Sequence, residues 1–335
     1  MLVMRHDLRR PPAELAERST AEIYDAALAQ CRFADEIGFD LVALSEHHGM
    51  DDGWLPAPLV MAGVIGGATR RINVLVSAAI GPLHDPVRLA EQLVVLDHAT
   101  GGRVWTVIGA GYRPEEFAMA GVDRSRRGAL VEECLEVLLA AFTGEPFRWR
   151  DRTVRVTPRP RTRPHPVVLV GGGVPAAARR AARLGLGLLP MHDDPSLVAV
   201  YEEEARRCGR TGGFVLVPSG PTYVHVTDDP DRTWAEIGPY LLAEARTYDA
   251  IQTGGQSSLP HVTARTVDDL RASPQYLVGT PEDVLAAAAR LAPTAALTFN
   301  PLAGGLPPEI AWDNLERFRD QVLPRLGRSG RNGPA

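Results

Sequence analysis

The stretch Phe39–His48, FDLVALSEHH, joins an apolar run to three consecutive titratable side chains. Its first part, Phe39–Ser45, is apolar along nearly its whole length, which is typical of a strand buried on both faces of a parallel sheet. In α/β barrels, catalytic side chains follow directly after the carboxyl ends of the strands. Glu46, His47 and His48 hold that position, so this stretch predicts both a fold class and a candidate site.

The same strand-and-helix pattern continues on both sides of this stretch. Upstream, Ser19 and Glu22 have the spacing of a helix capping box, and the helix that they begin ends before Gly38. We predict eight strands, at Leu2–His6, Phe39–Ser45, Ile72–Ile80, Val104–Ile108, Val167–Val170, Leu186–Pro190, Thr222–Thr227 and Ala295–Phe299. Eight strand–helix steps in 335 residues predict an α/β fold of the (β/α)8 TIM-barrel class, and a doubly wound open sheet is the structural alternative.

Two segments interrupt this alternation. Gly144–His165 contains a predicted short hairpin and a proline-rich return. Asp228–Gln275 lies between the seventh and eighth predicted strands, and it contains further helix and a polar Gly/Ser loop. We therefore expect one barrel domain over residues 1–326, with insertions notably between strands seven and eight, and a flexible C-terminal tail over Gly327–Ala335.

Composition excludes several classes of protein. A formal net charge of −5 and an isoelectric point near 6.0 argue against a nucleic-acid or anionic-membrane partner. No apolar run is long enough to span a bilayer, and the N-terminus lacks the apolar region of a signal peptide, so we expect a cytoplasmic protein. Three cysteines without paired spacing suit a reducing compartment and indicate no metal site.

The adjacent histidines after strand two are the strongest candidates for proton chemistry. A neutral histidine can donate or accept a proton near pH 7, so His47 and His48 are candidate catalytic residues. The structural alternative is a hydrogen-bonded pair that begins a loop. Adjacent residues of an extended backbone point in opposite directions, which disfavours a shared metal ion. Farther along, His84 has no assigned role, and Asp85 before a proline is the pattern of a helix cap.

Small residues follow three further strands. Ser77 and Ala78 near the end of strand three would let a flat ligand approach the backbone, although close packing in the barrel mouth explains them equally. Gly109 and Gly111 follow strand four. Gly171–Gly173 follow strand five and precede a helix, which is the arrangement of a phosphate site at a helix amino terminus. The dinucleotide-binding GxGxxG pattern with a downstream acid is absent.

Together these pieces resemble the bacterial-luciferase-like superfamily of flavin-dependent oxidoreductases. The matching stretches keep the family's order over nearly the whole chain: ADEIGFDLVALSEHH (Ala34–His48), PLHDPVRLAEQLVVLDHATGGR (Pro82–Arg103), GAGYRPEEF (Gly109–Phe117), VLVGGG (Val168–Gly173), RAARLGLGLLP (Arg180–Pro190) and VGTPEDV (Val278–Val284). Each stretch alone is only suggestive, whereas jointly they are specific. The resemblance implies a TIM barrel with an insertion between strands seven and eight.

The resemblance also implies a ligand and roles for site residues. The ligand would be reduced FMN or its deazaflavin relative F420 in the barrel mouth, with His47 as a proton donor or acceptor near the ring. Ser77-Ala78 matches a position where the family often has a non-proline cis peptide bond against the flavin. Gly171, Gly172 and Gly173 match the phosphate-binding turn. Where the alpha subunit of luciferase has Cys-Arg-Gly after strand four, this chain has Gly109-Ala110-Gly111, and Arg127 could supply the missing cation.

Three functions remain open at this stage. The first is a monooxygenase that uses reduced FMN, from a separate flavin reductase, and O2 to oxygenate a small organic substrate. The second is F420-dependent hydride transfer, for which Arg113, Arg124, Arg126 and Arg127 could bind the anionic tail. The third is a flavin-binding protein without turnover. The family is usually homodimeric, through the helices after strands two and three, and Trp54 and Met191 are among the apolar residues that could line a pocket.

Overall fold

A computed structural model describes residues 1–211, 213–252, 258–292 and 294–326 of the chain. The tail predicted from residue 327 onward, and part of the Gly/Ser loop in the predicted insertion, lie outside the described residues. The described strands are β1 (Leu2–His6), β2 (Leu41–Leu44), β3 (Asn73–Ile80), β4 (Val104–Gly109), β5 (Phe147–Trp149), β6 (Arg152–Val154), β7 (Val168–Gly171), β8 (Gly187–Leu189), β9 (Tyr223–Val226), β10 (Tyr276–Gly279) and β11 (Leu297–Phe299).

Helices follow most of these strands, as the alternating pattern predicts. They are α1 (Thr20–Ile37), α2 (Pro58–Ala68), α3 (Pro86–Thr100), α4 (Pro114–Ala120), α5 (Arg127–Phe142), α6 (Pro175–Leu184), α7 (Pro195–Arg207), α8 (Pro230–Ile251), α9 (Val267–Arg271), α10 (Pro281–Arg290) and α11 (Pro308–Arg317). The predicted capping box at Ser19 and Glu22 is present, and Asp85 caps α3 through the amides of Val87 and Arg88. No helix in the described part of the chain is both long enough and apolar enough to cross a bilayer.

Seven strands form one parallel sheet in the order β11-β1-β2-β3-β4-β7-β8. Residues 214–221 connect its two edges. On one edge the Leu188 amide donates to the Phe214 carbonyl at 2.9 Å, and on the other the Ala296 amide donates to the Ser219 carbonyl at 3.0 Å. The segment therefore takes the place of an eighth strand and closes the sheet into a barrel, which confirms the predicted fold class.

The seventh strand differs in detail from the prediction. The predicted strand Thr222–Thr227 corresponds to β9, which pairs in parallel with β10 and not with the seven-stranded sheet. The prediction omits β10, because a four-residue run directly before a helix cap is too short to show a period. The predicted hairpin is present as β5 and β6, which pair antiparallel.

Side-chain alternation divides the barrel interior into two levels. A buried apolar cluster inside the barrel takes one residue from each of five adjacent strands: Val3, Leu41, Leu75, Val107 and Leu169. Two positions nearer the carboxyl ends, the same inward face presents Arg5, Ala43, Ser77, Gly109 and Gly171. The lower level is thus an apolar plug, and the upper level is built from small residues and one arginine. This change opens space at the mouth.

A carboxylate near the end of α1 fixes the entry into β3. The two oxygens of Asp35 accept hydrogen bonds from the backbone amides of Arg70, Arg71 and Ile72, at 2.7 to 2.9 Å. Burial alone would raise the pKa of Asp35, but these three amides outweigh it and hold the pKa below its ordinary value.

We predict that Asp35→Asn lowers the free energy of unfolding by about 2 kcal/mol at pH 7, because hydrogen bonds to a charged acceptor are lost and the new NH2 group meets an amide donor. Because the folded-state pKa of Asp35 is depressed, its contribution exists above the ordinary value of 3.8 and disappears as the pH falls through the folded-state pKa. Urea unfolding followed by circular dichroism at several pH values measures both effects. The exposed Asp25→Asn on the same helix is the control, and an equal loss in the two variants would contradict the prediction.

Candidate active site

The carboxyl ends of the barrel strands bring the predicted site residues to one end of the molecule. His47 and His48 follow β2, Ser77 and Ala78 lie in β3, and the predicted glycines end or follow β4 and β7. The following positions in or directly after these strands are half-buried: Ser77, Ala78, Gly109, Gly111, Gly171, Gly172 and Gly173. Together they line the open mouth above the apolar plug.

His47 is held in one orientation by a buried carboxylate. Its Nδ1 lies 3.0 Å from Oε1 of Glu116, whose side chain is fully buried at the start of α4. The same Oε1 accepts hydrogen bonds from the His48 amide at 3.1 Å and from Arg113 at 3.2 Å. Because both of these groups can only donate, Oε1 is an acceptor and Nδ1 of His47 carries the hydrogen. Nε2 makes no hydrogen bond with the described residues and is left as the proton acceptor.

Sequence reasoning missed Glu116. It lies within the quoted stretch Gly109–Phe117, where an acidic residue in the first turn of a helix is ordinarily explained by its favourable interaction with the helix dipole. Arg113 strengthens the arrangement, since it also donates to the His48 carbonyl at 2.8 Å. Glu116 is identified as the partner of His47 only in the folded structure, where the first turn of α4 lies next to the end of β2.

Trp54 covers the other side of His47. The two ring centroids are 4.2 Å apart, and the indole is almost completely buried. Trp54 donates to the Ser45 hydroxyl at 2.8 Å, and that hydroxyl donates to Asp7 at 2.8 Å. Burial would raise the pKa of Asp7, but the Arg5 guanidinium at 2.5 Å and the Ser45 hydroxyl hold it below its ordinary value. Trp54, proposed from sequence as a pocket wall, therefore packs as a fixed wall beside the histidine.

His48 points to a different partner. Its Nε2 lies 2.9 Å from Oε1 of Glu46, and the same oxygen lies 3.0 Å from Nε2 of His84. The other oxygen of Glu46, Oε2, accepts the Ile80 amide at 2.7 Å. Burial would raise the pKa of Glu46, but these hydrogen bonds lower it to about 2, and the bond to Glu46 raises the pKa of His48. His48 and His84 thus serve as partners of a buried carboxylate that ties the end of β2 to the end of β3.

The predicted cis peptide bond between Ser77 and Ala78 is present. The pairing of β3 with β4 shifts register at this point, between Ser77 and Ala79. A Cβ atom at Gly109 would lie 3.0 Å from Cβ of Ala78, so only glycine lets β4 approach so closely. Gly111 has a positive φ of 72°, and its glycine is explained by the turn before α4.

The glycine turn after β7 leads into α6 without a capping side chain. Val174, the residue before the helix, makes no side-chain cap, and Pro175 begins the helix. The Gly172 amide donates to the Leu189 carbonyl at 3.2 Å, so not all three amides of Gly171–Gly173 are available to a ligand. Met191 lies beside Gly173 and forms part of the same wall. The uncapped first turn of α6 can accept an anionic group.

Arg127 lies at the beginning of α5, away from the glycine turn in sequence. Its guanidinium donates to the Arg124 carbonyl at 3.3 Å, and Arg124 donates to the Tyr112 carbonyl at 3.3 Å. Arg127 is thereby joined to the turn after β4. Within the described part of the chain its guanidinium makes no hydrogen bond or ion pair with His47 or with the glycines after β7.

Comparison with curated proteins finds relatives at moderate identity. An uncharacterized protein of Sinorhizobium fredii, y4vJ, is 27% identical over 183 residues, which is 52% of this chain and 52% of the relative. A second protein of that organism, y4wF, is 30% identical over 170 residues, 49% of this chain and 50% of the relative. The chain thus spans about half the length of these relatives.

Solved structures match over nearly the full chain. Monooxygenase RslO1 from Streptomyces bottropensis superposes with a TM-score of 0.77 at 22% identity, covering 97% of this chain and 99% of the other. The oxygenating constituent of 3,6-diketocamphane monooxygenase from Pseudomonas putida, solved with FMN, has a TM-score of 0.70 at 20% identity. The match covers 97% of this chain and 98% of the other. An F420-dependent secondary alcohol dehydrogenase has a TM-score of 0.68 at 16% identity, and the match covers 97% of this chain and 98% of the other. At these identities the likeness establishes the barrel fold.

The family model for luciferase-like monooxygenases matches residues 9–298, which include every strand from β2 to β10 and both histidines after β2. The match covers the mouth residues Ala43, Ser77, Gly109 and Gly171, whereas Arg5 precedes it. The chain therefore belongs to the luciferase-like monooxygenase family.

Proposed function

We propose that the protein is a cytoplasmic flavin-dependent monooxygenase that uses reduced FMN and O2 to oxygenate a small organic substrate. A separate flavin reductase would supply the reduced FMN. The observation that carries this proposal is the fixed orientation of His47, whose Nε2 remains available beside a mouth lined by small residues.

The residues of the mouth suit a flat ring with an anionic tail. Ser77, Gly109 and Gly171 leave backbone on three adjacent strands accessible to a planar group, because none of them carries a large side chain. We propose that Ser77 and Ala78 contact the ring, with Gly109 and Gly111 behind it. The uncapped turn Gly171–Gly173 and α6 would hold the phosphate, and Arg127 would add positive charge.

Bound reduced FMN would supply the electrons that activate O2. The protein's part follows from its own groups. Nε2 of His47 accepts or returns a proton at the reacting centre, and Glu116 positions the ring for that role by holding Nδ1. Trp54 covers the imidazole and excludes water from one side. His48, bonded to Glu46, stabilises the end of the strand and would not exchange protons with substrate.

Anaerobic titration tests the cofactor directly. Reduced FMN and F420 are added separately to the purified protein, and binding is followed by fluorescence before oxygen is admitted. Saturable binding of FMN, followed by oxygen-dependent turnover, supports the proposal. Exclusive binding of F420 would favour hydride transfer, and binding without any turnover would favour a flavin-binding protein.

We predict that Gly173→Asp weakens FMN binding at least tenfold, because the added carboxylate repels the phosphate at the amino terminus of α6. Riboflavin has no phosphate, so its affinity should change less than threefold. Space is available, since a Cβ atom here would lie 3.4 Å from Met191. The control Gly67→Asp adds the same charge on α2, at a glycine without a positive φ where nothing lies within 4 Å. Equal losses for FMN and riboflavin would show that the phosphate lies elsewhere.

We predict that His47→Gln lowers flavin turnover by roughly 10²–10⁴-fold, the usual contribution of a positioned acid or base, while FMN affinity stays within about threefold. His48→Gln should reduce turnover less than tenfold, because Nε2 of His48 is bonded to Glu46. Steady-state rates at saturating reduced FMN compare the two variants. If His47→Gln leaves every flavin reaction unchanged, the assigned proton role is wrong.

We propose a homodimer formed through α2 and α3, in keeping with the family expectation. These two helices pack side by side and expose three valines. The relative solvent exposures of Val60, Val64 and Val95 are 69%, 47% and 60%. Such a cluster on adjacent helices is typical of an interface between subunits.

Replacing Val60 and Val64 with glutamate should convert the dimer to a monomer, because two buried, unpaired charges would face the partner subunit. Light scattering after size exclusion gives the mass. Met119→Glu, which adds a charge at a residue 71% exposed on α4, serves as the control and should leave the mass unchanged. A monomeric wild-type protein at micromolar concentration would contradict this proposal.

A further inference from the structure

A second cavity, of about 310 Å³, lies beside the insertion. Its walls come from residues 9–13 after β1, Asp51 and Asp52 after β2, helix α8, and Gly304 after β11. Within the described part of the chain, none of the small residues of the barrel mouth lines it. Small-molecule sites begin at roughly 300 Å³, so this cavity can hold a small ligand apart from the proposed flavin site.

One arginine of the cavity wall has an unused hydrogen-bond donor. Arg9 is 3% exposed, and its Nη1 is buried without a hydrogen-bond partner among the described residues. Its Nε donates to Asp52 at 2.6 Å, and its guanidinium carbon lies 4.4 Å from the centroid of the Trp54 ring. These two contacts hold the guanidinium group in place, and a buried donor without an acceptor is unfavourable. Arg9 can therefore donate to an acceptor that a ligand would supply.

Two charged side chains at the rim of the cavity are also available. Arg10 and Asp51 are both exposed, and neither forms an ion pair with another described residue. Their segments are joined through the backbone, since the Arg10 amide donates to the Asp52 carbonyl at 2.8 Å and its guanidinium donates to the Asp51 carbonyl. The rim therefore presents one cation and one anion close to each other.

The charges of the lining side chains select among classes of ligand. Besides the two guanidinium groups, the cavity is lined by the carboxyl groups of Asp51, Asp52 and Glu244. Burial raises the pKa of Glu244, and even when it is protonated the two aspartates balance the two arginines. A purely anionic ligand would introduce an uncompensated charge, whereas a purely cationic one would leave Nη1 of Arg9 without an acceptor. A zwitterion avoids both costs.

We propose that this cavity binds a zwitterionic α-amino acid with an apolar side chain. Its carboxylate would accept hydrogen bonds from Arg9 and Arg10, and its ammonium group would pair with Asp51. Pro12 and Ala243 also line the cavity and offer apolar surface to the side chain of the ligand. The assignment does not depend on flavin chemistry, so it can fail or succeed independently of the proposed function.

Isothermal titration calorimetry of the full-length protein with three probes of similar shape tests the assignment. L-leucine carries both charges, 4-methylpentanoate lacks the ammonium group, and 3-methylbutylamine lacks the carboxylate. We expect L-leucine to bind about tenfold more tightly than either analogue, because only L-leucine engages both charges of the rim. Saturating L-leucine should leave the affinity for FMN unchanged, because the two ligands would occupy different cavities.

The exposed residues of the rim allow substitutions that leave the core intact. Arg10→Gln should weaken L-leucine and 4-methylpentanoate about three- to tenfold and leave 3-methylbutylamine unchanged, because only the carboxylate loses a partner. Asp51→Asn should weaken L-leucine and 3-methylbutylamine to a similar extent and leave 4-methylpentanoate unchanged. The matched controls Arg32→Gln and Asp25→Asn, both exposed on α1, should leave all three affinities unchanged.

The buried donor is tested separately. Arg9→Lys keeps a positive charge beside Asp52 but removes the planar guanidinium group, so it should weaken L-leucine about tenfold. Circular dichroism establishes that this variant is folded.

Three results would overturn the assignment. The first is that L-leucine at millimolar concentration gives no binding heat with the wild-type protein. The second is that an analogue with a single charge binds as tightly as L-leucine. The third is that L-leucine competes with FMN, which would place it in the barrel mouth. Absence of FMN binding or turnover in the wild-type protein would count against the proposed function alone.

Discussion

The hydrogen bond between Glu116 and His47 is the interaction on which the candidate site depends. Oε1 of Glu116 accepts hydrogen bonds from the His47 imidazole, the His48 backbone amide and the Arg113 guanidinium. Because the amide and the guanidinium can only donate, they fix the tautomer of the imidazole. The contact also joins two barrel strands, since His47 follows β2 and Glu116 begins the helix after β4. Because the carboxylate is fully buried, its three donors are needed to offset the cost of its desolvation. The orientation of the histidine is therefore a property of the fold and not of a flexible loop.

The rest of the mouth follows from alternation along parallel strands. Residues two apart point to the same side, so the level above the apolar plug had to be filled by Arg5, Ala43, Ser77, Gly109 and Gly171. Four of these five residues are small, and the arginine is paired with Asp7. An interior that is dense below and open above is what a binding site needs, since the plug stabilises the barrel while the mouth stays accessible.

Sequence reasoning predicts the parts of this arrangement that local patterns determine. The strand Leu2–His6, the capped helix after Ser19 and the position of His47 all depend on short-range periodicity and turn chemistry. Glu116, Tyr248 and residues 214–221 depend on contacts between distant segments, and a single sequence contains no signal for them. Glu116 is 69 residues from His47, and the closing segment meets β11 about 80 residues later in the chain. The same limit explains why His47 and His48 look equivalent in sequence but have different partners in the structure.

The charge pairing at the mouth constrains chemistry beyond the cofactor. Arg5, Arg9 and Arg113 are each paired with a carboxylate of the protein, and Nη1 of Arg9 is buried without a hydrogen-bond partner among the described residues. Tyr248 comes from α8, within the insertion, whereas Tyr112 belongs to a turn of the barrel itself. The contact between the Tyr248 and Trp54 rings therefore joins the insertion to the barrel beside His47. Because Tyr248 of α8 packs on the indole that itself covers the imidazole, the insertion helps to exclude water from one side of His47.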